Sequence, residues 1–471
     1  MAYFYSLPTM IIMHLFNTMT RRKEELKPNG DVRMYFCGPT VYDFAHIGNF
    51  RAYMASDLLK RYLEYKGHFV KLVMNITDVD DKTIKGAAKH KMQLAEFTRK
   101  YESYFFEDMD ALRIKRADVY PRATEHIESM VDIIKKLIAS GIAYRGDDGS
   151  IYYDITKFKN YGCLSHLDIS SLKTGGRVSL DDYDKDDAKD FALWKAWNLE
   201  DGDVYWDTEL GRGRPGWHIE CSAMSTKYLG ESFDIHGGGI DLMFPHHENE
   251  IAQSEECTGK KLAGIWMHSE HLLVDGRKMS KSLGNFYTLR DIVEKGYNLL
   301  AFRWLCISTH YRSQINFTFQ SLEDAWNTVS KINNFVFRLK NEKDAAENLT
   351  VTDTLEAARR AFEMHMDDDL NVQHALSAVF ELIHVVNKEI DDGRSGSIRE
   401  VLEFIMEING IFDILTDAGK SLTKEEQEMI EEREDARRRK DFKRADEIRR
   451  VLAERGISLE DSTQGPRWKK T

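Results

Sequence analysis

The stretch Phe36-Cys37-Gly38-Pro39-Thr40-Val41-Tyr42-Asp43-Phe44-Ala45-His46-Ile47-Gly48-Asn49 decides the fold. It follows a short apolar run, which predicts a strand, and precedes residues 51–65, whose apolar side chains recur at helical spacing. A strand, a glycine-bearing loop and a helix N-terminus together form a site for a phosphate group. In such a site His46 can donate to phosphate oxygens, and Gly48 lets a flat base lie close to the backbone.

A second stretch, Gly276-Arg277-Lys278-Met279-Ser280-Lys281-Ser282-Leu283-Gly284-Asn285, lies far downstream. It alternates lysines with serines between glycines. Such a loop is cationic, and it is suited to the charge of a pyrophosphate. The two stretches therefore predict the two sides of a nucleotide site.

Composition limits the class of protein. The chain has 471 residues, 42% of them apolar and 31% charged, which is typical of a globular protein with a large core. Its net charge of −12 argues against wholesale adsorption to nucleic acid. The five cysteines are scattered and odd in number, which favours a reducing cytoplasm over a disulfide framework. Residues 1–16 are too short to span a bilayer, so we expect a cytoplasmic protein with no membrane association.

The order of elements predicts an α/β catalytic domain followed by helices. A second strand at residues 69–74 precedes the polar run 75–82, at the sheet edge where open α/β sheets place ligands. Residues 141–153 have the pattern of a hairpin. Residues of about 120–205 interrupt the α/β alternation and are predicted to be an insertion. Helical patterns fill 289–308 and about 320–412, and a basic segment closes the chain.

A possible metal site combines His246, His247 and Glu250 with Cys221. On one helix His246 and Glu250, four apart, share a face, but His247 and Glu250, three apart, could also pair. The spacing therefore does not decide which of the two histidines would be the metal ligand. A His/Glu face joined by two cysteines is a donor set that favours zinc.

Four motifs in the same order resemble the cysteinyl-tRNA synthetase family of class I. They are the first stretch with its His-Ile-Gly, Gly-Trp-His-Ile-Glu-Cys-Ser-Ala-Met at 216–224, Phe-Pro-His-His-Glu-Asn-Glu at 244–250, and Lys-Met-Ser-Lys-Ser-Leu-Gly-Asn at 278–285. The resemblance runs from about Leu15 to the C-terminus. One departure is Asn49, where the family's first motif usually ends in histidine. An asparagine still offers an amide donor to phosphate but carries no charge, so a tuned rate is expected.

The resemblance implies a role for each matching residue. Zinc, one ion per chain, would be held by Cys37, Cys221, His246 and Glu250. Catalysis would use His46, Asn49, Lys278 and Lys281, and Mg²⁺ would enter with ATP. Thr40 and Trp217 would form the walls of the amino-acid pocket. The ATP site would comprise Pro39, Thr40, His46, Gly48, Asn49, Asp241, Lys278, Met279, Ser280, Lys281 and Ser282.

The implied fold is a split Rossmann-like nucleotide-binding catalytic domain with a connecting insertion, followed by a helical domain and a small C-terminal anticodon-binding module. We expect an N-terminal extension at 1–19 and the catalytic domain at 20–315 with its insertion at about 120–205. A tRNA-binding helical bundle at 316–415 and the C-terminal module at 416–471 would follow.

The implied reaction joins L-cysteine to tRNA(Cys) through a cysteinyl-adenylate formed from ATP. Zinc would bind the substrate thiolate and so reject serine, which an apolar pocket alone would separate only by roughly 10–200-fold. We expect a monomer rather than a dimer, without an editing domain. Two other functions stay open: a cysteine ligase of the mycothiol pathway, which would lack the anticodon module, and a non-catalytic RNA-binding paralogue.

Overall fold

The structure is a computed structural model that describes residues 13–167, 177–178, 190–280, 283–416, 424–455, 457–462 and 465–470. The α-helices are, in chain order, α1 (Ile47–Tyr65), α2 (Asp81–His90), α3 (Leu94–Ala111), α4 (Ile127–Ala139), α5 (Trp217–Leu229), α6 (Glu248–Thr258), α7 (Leu289–Glu294), α8 (Leu299–Ser308), α9 (Phe319–Asn341), α10 (Leu349–Asp367), α11 (Val372–Asp391), α12 (Ile398–Phe412), α13 (Lys424–Arg438) and α14 (Phe442–Glu454).

The strands are β1 (His14–Asn17), β2 (Arg22–Glu25), β3 (Val32–Phe36), β4 (Val70–Met74), β5 (Ala143–Arg145), β6 (Ile151–Tyr153), β7 (Arg177–Val178), β8 (Asp190–Ala196), β9 (Trp206–Thr208), β10 (Gly211–Pro215), β11 (Phe233–Gly239), β12 (Ala263–Ser269), β13 (Leu272–Val274), β14 (Arg277–Lys278), β15 (Ile315–Phe317), β16 (Ile457–Ser462) and β17 (Gly465–Lys470).

A parallel four-stranded sheet in the order β12-β11-β3-β4 forms the centre of the catalytic part. Strands β3 and β4 are mostly apolar, as expected for strands of a parallel sheet that is covered on both faces. Helix α1 follows β3 and buries most of its length in the same core. The carboxyl ends of β3, β4 and β11 therefore meet at one edge, and the α/β prediction is confirmed.

The expected insertion carries an antiparallel sheet in the order β5-β6-β8-β10-β9, with β7 beside β8. The hairpin predicted at 141–153 is present as β5 and β6, with Ala143 opposite Tyr153. This sheet continues to Pro215, which is beyond the expected limit near 205. The reason is that β10 pairs with β8, and its short, glycine-containing run gives no strand periodicity to detect.

Two small elements connect the catalytic part to the helices. In a three-stranded sheet β13 pairs with β14 and, in parallel, with β15. The single helix expected over 289–308 is two helices, α7 and α8, because the chain turns at Gly296 with a φ of +83° and Asn298 caps α8. Helices α9 to α12 form the helical part, and α13 and α14 precede the hairpin of β16 and β17.

The N-terminal extension is shorter than residues 1–19. Strands β1 and β2 pair as a hairpin, and Leu15 is fully buried in the main core. The hairpin is held from far along the chain, because the N–H of Phe16 donates to the Asp369 carboxylate at 2.8 Å. Residues 1–12 lie outside the described part of the chain. None of the helices among the described residues has both the length and the apolar composition that a membrane crossing requires.

A buried ion pair between α1 and α8 also contacts the end of α12 in the helical part. Arg303 Nη2 of α8 lies 2.6 Å from Asp57 Oδ2 of α1, and both side chains are fully buried. The same guanidinium donates to the carbonyl oxygens of Phe412 at 2.7 Å and Leu112 at 2.9 Å. A buried charge is tolerated only when it is paired and hydrogen-bonded, and here each condition is met.

We expect Arg303→Met to lower the free energy of unfolding by about 3 kcal/mol or more, because it leaves Asp57 buried with one cationic partner fewer. Urea unfolding followed by circular dichroism measures the change. Arg399→Ala, which removes an exposed Arg399–Glu403 pair on α12, is the control and should change it by less than about 0.5 kcal/mol. Equal effects of the two substitutions would contradict the assigned role of Arg303.

Candidate active site and metal centre

A cavity of about 430 Å³ opens at the carboxyl ends of β3 and β11. Its wall comes from the loop between β3 and α1, from the segment after β11, from the first residue of α5 and from β14. The predicted site residues that line it are Cys37, Pro39, Thr40, His46, Gly48, Asn49, Trp217, Asp241, Lys278 and Met279. Segments far apart in the sequence thus meet around one space large enough for a small-molecule ligand.

His46 and Asn49 form a reciprocal cap at the start of α1. The N–H of Asn49 donates to His46 Nδ1 at 3.3 Å, and the N–H of His46 donates to Asn49 Oδ1 at 3.1 Å. Because Nδ1 accepts a hydrogen bond, a neutral His46 ring carries its proton on Nε2. Asn49 uses its carbonyl oxygen for the cap, so its amide NH₂ is the group it can offer to an anion.

Two glycines lie close to neighbouring atoms. A Cβ on Gly38 would lie 1.9 Å from the carbonyl oxygen of Asn75, and a Cβ on Gly48 would lie 2.7 Å from the methyl group of Met279. The first contact is with backbone, which cannot move aside. The second places the methionine of the lysine loop directly against the first motif, so the two predicted motifs touch.

The lysine loop is described at residues 276–280 and 283–285. Of its described residues, Lys278 and Met279 line the cavity, whereas Ser280 does not and donates its N–H to Asn285 Oδ1 at 2.8 Å. The Asn285 amide in turn donates to the carbonyl oxygen of Lys278 at 3.1 Å. Lys281 and Ser282, both expected in the ATP site, lie outside the described residues.

The other wall carries Asp241, Trp217 and Thr40. Asp241 follows β11 in a short 3₁₀ turn, and Trp217 is the first residue of α5. The Trp217 ring lies against the His246 ring, with 4.1 Å between centroids. Thr40 is fixed by a backbone bridge to Thr77, which holds the loop after β3 beside the end of β4.

Cys37, Cys221, His246 and Glu250 are buried together, with one potential ligand atom from each within 4.8 Å of the others. The sulfurs of Cys37 and Cys221 are 3.8 Å apart, and His246 Nε2 is 3.1 Å from Glu250 Oε1. Two sulfurs bound to one tetrahedral zinc ion lie about 3.8 Å apart. Both the donor set and the spacing therefore fit zinc.

A second group shares two of these residues and consists of Cys37, His236, His247 and Glu250. His247 Nε2 is 3.3 Å from the Cys37 sulfur, but it is 4.0 Å from Glu250 Oε1. This second group has one sulfur only. The histidine ambiguity that the spacing left open thus persists in the geometry, although the two-sulfur group is the better match to zinc.

The protonation states of the cluster favour the binding of a cation. Burial raises the pKa of Glu250, but the neighbouring His236 and His246 outweigh burial and lower it to about 2. Burial raises the pKa of the Cys221 thiol, but hydrogen bonding from Cys37 and the nearby His246 lower it to about 6. Burial and the hydrogen bond with Cys221 raise the pKa of Cys37 well above its usual value. A carboxylate and a thiolate are thus already ionised near pH 7.

The sequence did not predict the side chains that hydrogen-bond to the candidate metal ligands. His218 Nδ1 lies 2.9 Å from His246 Nδ1, and His236 Nε2 lies 2.8 Å from Glu250 Oε2. His268 Nε2 lies 2.8 Å from His247 Nδ1. The available signal was that His218 lies within the quoted stretch 216–224. Such contacts fix the orientation of ligands around a metal.

Family models match most of the chain. Residues 23–327 match the class I (C) tRNA synthetase catalytic domain. Residues 361–416 match the DALR domain, and residues 420–468 match the cysteinyl-tRNA ligase anticodon binding domain.

Similar proteins span the same length. The cysteine–tRNA ligase of Brachyspira hyodysenteriae is 48% identical over 468 residues, covering 97% of this chain and 98% of that protein. The cysteine–tRNA ligase of Protochlamydia amoebophila is 46% identical over 473 residues, covering 98% of each. Among solved structures, a Mycobacterium tuberculosis methionyl-tRNA synthetase in complex with methionyl-adenylate has a TM-score of 0.62 at 14% identity, covering 82% of this chain and 90% of that chain. At that identity the likeness concerns the fold alone.

We expect the purified protein to bind one Co²⁺ ion with the intense near-ultraviolet absorption of sulfur-to-cobalt charge transfer. Cys221→Ala should reduce that absorption by about half and weaken binding at least tenfold, because it removes one of two sulfur ligands. Cys163→Ala, at an exposed cysteine, is the control. Unchanged absorption in Cys221→Ala would favour the group that contains His236 and His247.

Proposed function

Because the chain belongs to the cysteine–tRNA ligase family and carries a class I catalytic domain, we propose that it activates L-cysteine with ATP and transfers the cysteinyl group to tRNA(Cys). The enzyme is a ligase, and its substrates are cysteine, ATP and tRNA. One observation carries the assignment of these steps to residues. Cys37 belongs both to the wall of the nucleotide-sized cavity and to the buried metal-binding group, so one space serves both substrates.

In the proposed first step the cysteine carboxylate attacks the α-phosphorus of Mg-ATP, and pyrophosphate leaves. The carboxylate is already ionised near pH 7, so the site must align the reactants and neutralise charge rather than supply a base. His46, through its Nε2–H, and the amide of Asn49 would donate to phosphate oxygens at the start of α1. Lys278, with Lys281, would neutralise the pyrophosphate from the opposite side.

The remaining cavity residues would hold the ligands in place. Asp241 would accept hydrogen bonds from the ATP ribose, and Gly48 with Met279 would border the base. Pro39 and Thr40 would shape the loop around the phosphates and the amino acid. The side chains of Ser280 and Ser282 would add hydrogen-bond donors to the pyrophosphate.

For the metal we propose zinc, held by Cys37, Cys221, His246 and Glu250, with Mg²⁺ entering as the ATP complex. A zinc ion at this position supplies a soft electrophile to which a thiolate binds far better than an alcohol does. Trp217 supports the selection because its ring packs on His246 and forms the adjacent pocket wall. Cysteine would thus be separated from serine by ligand chemistry, and no editing step would be needed.

The helical part is proposed to contact tRNA, and the C-terminal segment to read the anticodon. The match of residues 420–468 to an anticodon binding domain supports this assignment and disfavours an amino-sugar acceptor, which offers no anticodon. A cytoplasmic setting is supported by the five free cysteines. The monomeric state stays a prediction.

The direct test is transfer of labelled cysteine onto tRNA(Cys) by the purified protein with ATP and magnesium. We expect charging with cysteine and at least about a thousandfold lower exchange of ATP with pyrophosphate when serine replaces cysteine. Charging would exclude the non-catalytic paralogue and the amino-sugar ligase. Cysteine-dependent exchange without charging would point to another acceptor, and absence of both activities would overturn the proposal.

The proposed donation from the Asn49 amide to phosphate can be tested without removing the hydrogen bond that Asn49 makes at the start of α1. Asn49→Asp keeps the oxygen that accepts from the His46 N–H but loses the amide donor and adds a negative charge beside the phosphates. We expect kcat/KM for ATP in pyrophosphate exchange to fall by about a hundredfold, the usual effect of removing one transition-state donor. Thermal unfolding should stay unchanged, because the cap is kept. Asn49→His, which keeps a donor at this position, should retain activity within about tenfold.

A further inference from the structure

Arg290 contacts the wall of the cavity through Phe44. It is the second residue of α7, a short distance after the lysine loop ends at Asn285. Its guanidinium carbon lies 4.2 Å from the centre of the Phe44 ring and 5.0 Å from that of Tyr104 on α3. Its Nη1 donates to both carboxylate oxygens of Asp108, also on α3, at 2.8 Å each. One side chain therefore joins three segments: the loop after β3, helix α3 and helix α7.

The surroundings fix the orientation of this guanidinium. Asp108 is 6% exposed, and the Arg290 side chain is 31% exposed. Burial raises the pKa of the Asp108 carboxyl, and the hydrogen bonds and the charge of Arg290 oppose that rise. Glu107, on the surface of α3, adds a longer contact of 3.6 Å to Nη2. A cation held by a carboxylate on one side and by the face of an aromatic ring on another has little freedom to turn.

The segment that follows the lysine loop is attached to the same region of the fold. The N–H of Ile47 donates to the carbonyl oxygen of Tyr287 at 3.0 Å, and the backbone of His46 bridges to that of Thr288. Near the other end of the loop, Lys278 belongs to β14, which pairs with β13. The downstream end of the lysine loop is therefore attached to the start of α1, where His46 lies, and Arg290 adds a side-chain contact to that attachment.

We propose that Arg290 is a positioning residue for adenylate formation. By holding Phe44 and the downstream end of the lysine loop together, it sets the separation of His46 and Lys278 across the phosphates. This inference rests on the proposed function, in which those two side chains act from opposite sides of ATP. Phe44 lies two residues before His46 and itself lines the cavity, so a displacement of its ring would reach the phosphate donors. A misplacement of about 1 Å can slow an aligned reaction by about a hundredfold.

The first test removes the guanidinium. In Arg290→Ala we expect kcat for cysteine-dependent exchange of ATP with pyrophosphate to fall by about a hundredfold, because the reacting groups lose their alignment. KM for cysteine should stay within about twofold of the wild type, because the cavity residues nearest the candidate metal site, Cys37 and Trp217, are not contacted by Arg290 in the described structure.

Arg116→Ala is the matched control. The guanidinium carbon of Arg116 lies 4.2 Å from the centre of the Phe106 ring, and its Nη2 lies 2.7 Å from Asp110 Oδ2. The control therefore also removes an arginine that covers a phenylalanine ring and pairs with an aspartate of α3. Its aromatic partner belongs to α3 rather than to the loop after β3. We expect exchange within about twofold of the wild type, because contacts of this kind at the surface contribute little by themselves.

The second test compares the two half-reactions and a conservative variant. Pyrophosphate has left before acyl transfer begins, so Arg290→Ala should transfer cysteine from chemically prepared cysteinyl-adenylate to tRNA within about threefold of the wild-type rate in a single turnover. Arg290→Lys keeps a cation beside Asp108 but loses the flat group that lies on Phe44. We expect its kcat for exchange to be intermediate, about tenfold below that of the wild type.

The outcomes separate this proposal from the one on which it rests. Exchange by Arg290→Ala at the rate of the Arg116→Ala control would overturn the positioning role, and so would wild-type exchange by Arg290→Lys. Equal losses of exchange and of transfer in Arg290→Ala would also overturn it, because they would indicate general damage to the fold rather than misalignment. Absence of cysteine-dependent exchange in the wild-type protein would instead overturn the proposed function.

Discussion

The close approach of Gly38 to the carbonyl oxygen of Asn75 is the contact on which the geometry of the site depends. It brings the loop after β3 against the end of β4, where Gly38 N donates to Asn75 Oδ1 at 2.9 Å and Thr40 bridges to Thr77. Thr77 Oγ1 then donates to Glu220 Oε2 at 2.9 Å, one residue before Cys221. A single run of contacts therefore connects the loop after β3, the end of β4 and the residue next to Cys221 of the candidate metal site.

The same packing buries ionisable side chains, and their burial would cost free energy if they had no hydrogen-bonding partners. His246, His247 and Glu250 are almost completely buried, as are His218 and His236. Ionisable groups in such surroundings must be paired or must bind a metal. Two of the candidate ligand side chains have a neighbour that orients them: His218 for His246, and His236 for Glu250. The α5 and α6 helices thus present their donors in fixed directions, so a cation would require little rearrangement of the protein.

The sequence predicted what depends on local pattern, and it missed what depends on distant contacts. The strands β3 and β4, helix α1 and the meeting of the two motifs followed from periodicity and from the family resemblance. Neither source could show that His46 and Asn49 together cap the start of α1, because the cap depends on the backbone geometry of the helix start. The end of the insertion at Pro215 and the packing of Leu15 also escaped prediction. The first needs the pairing of β10 with β8, and the second needs Asp369, which lies more than three hundred residues away.

Asp369 shows how the helical part bears on the lysine loop. This buried carboxylate accepts from Phe16 N at 2.8 Å and from Arg312 Nε at 2.8 Å, and it also accepts from the hydroxyl of Tyr311. The carbonyl oxygen of Tyr311 receives the N–H of Glu270, a residue of the cavity wall. The chain after Arg312 becomes β15, which pairs with β13, and β13 pairs with β14 at Lys278. A shift of the turn between α10 and α11 would therefore strain buried, charge-assisted hydrogen bonds of Asp369, and these contacts link that turn to the strand that carries Lys278.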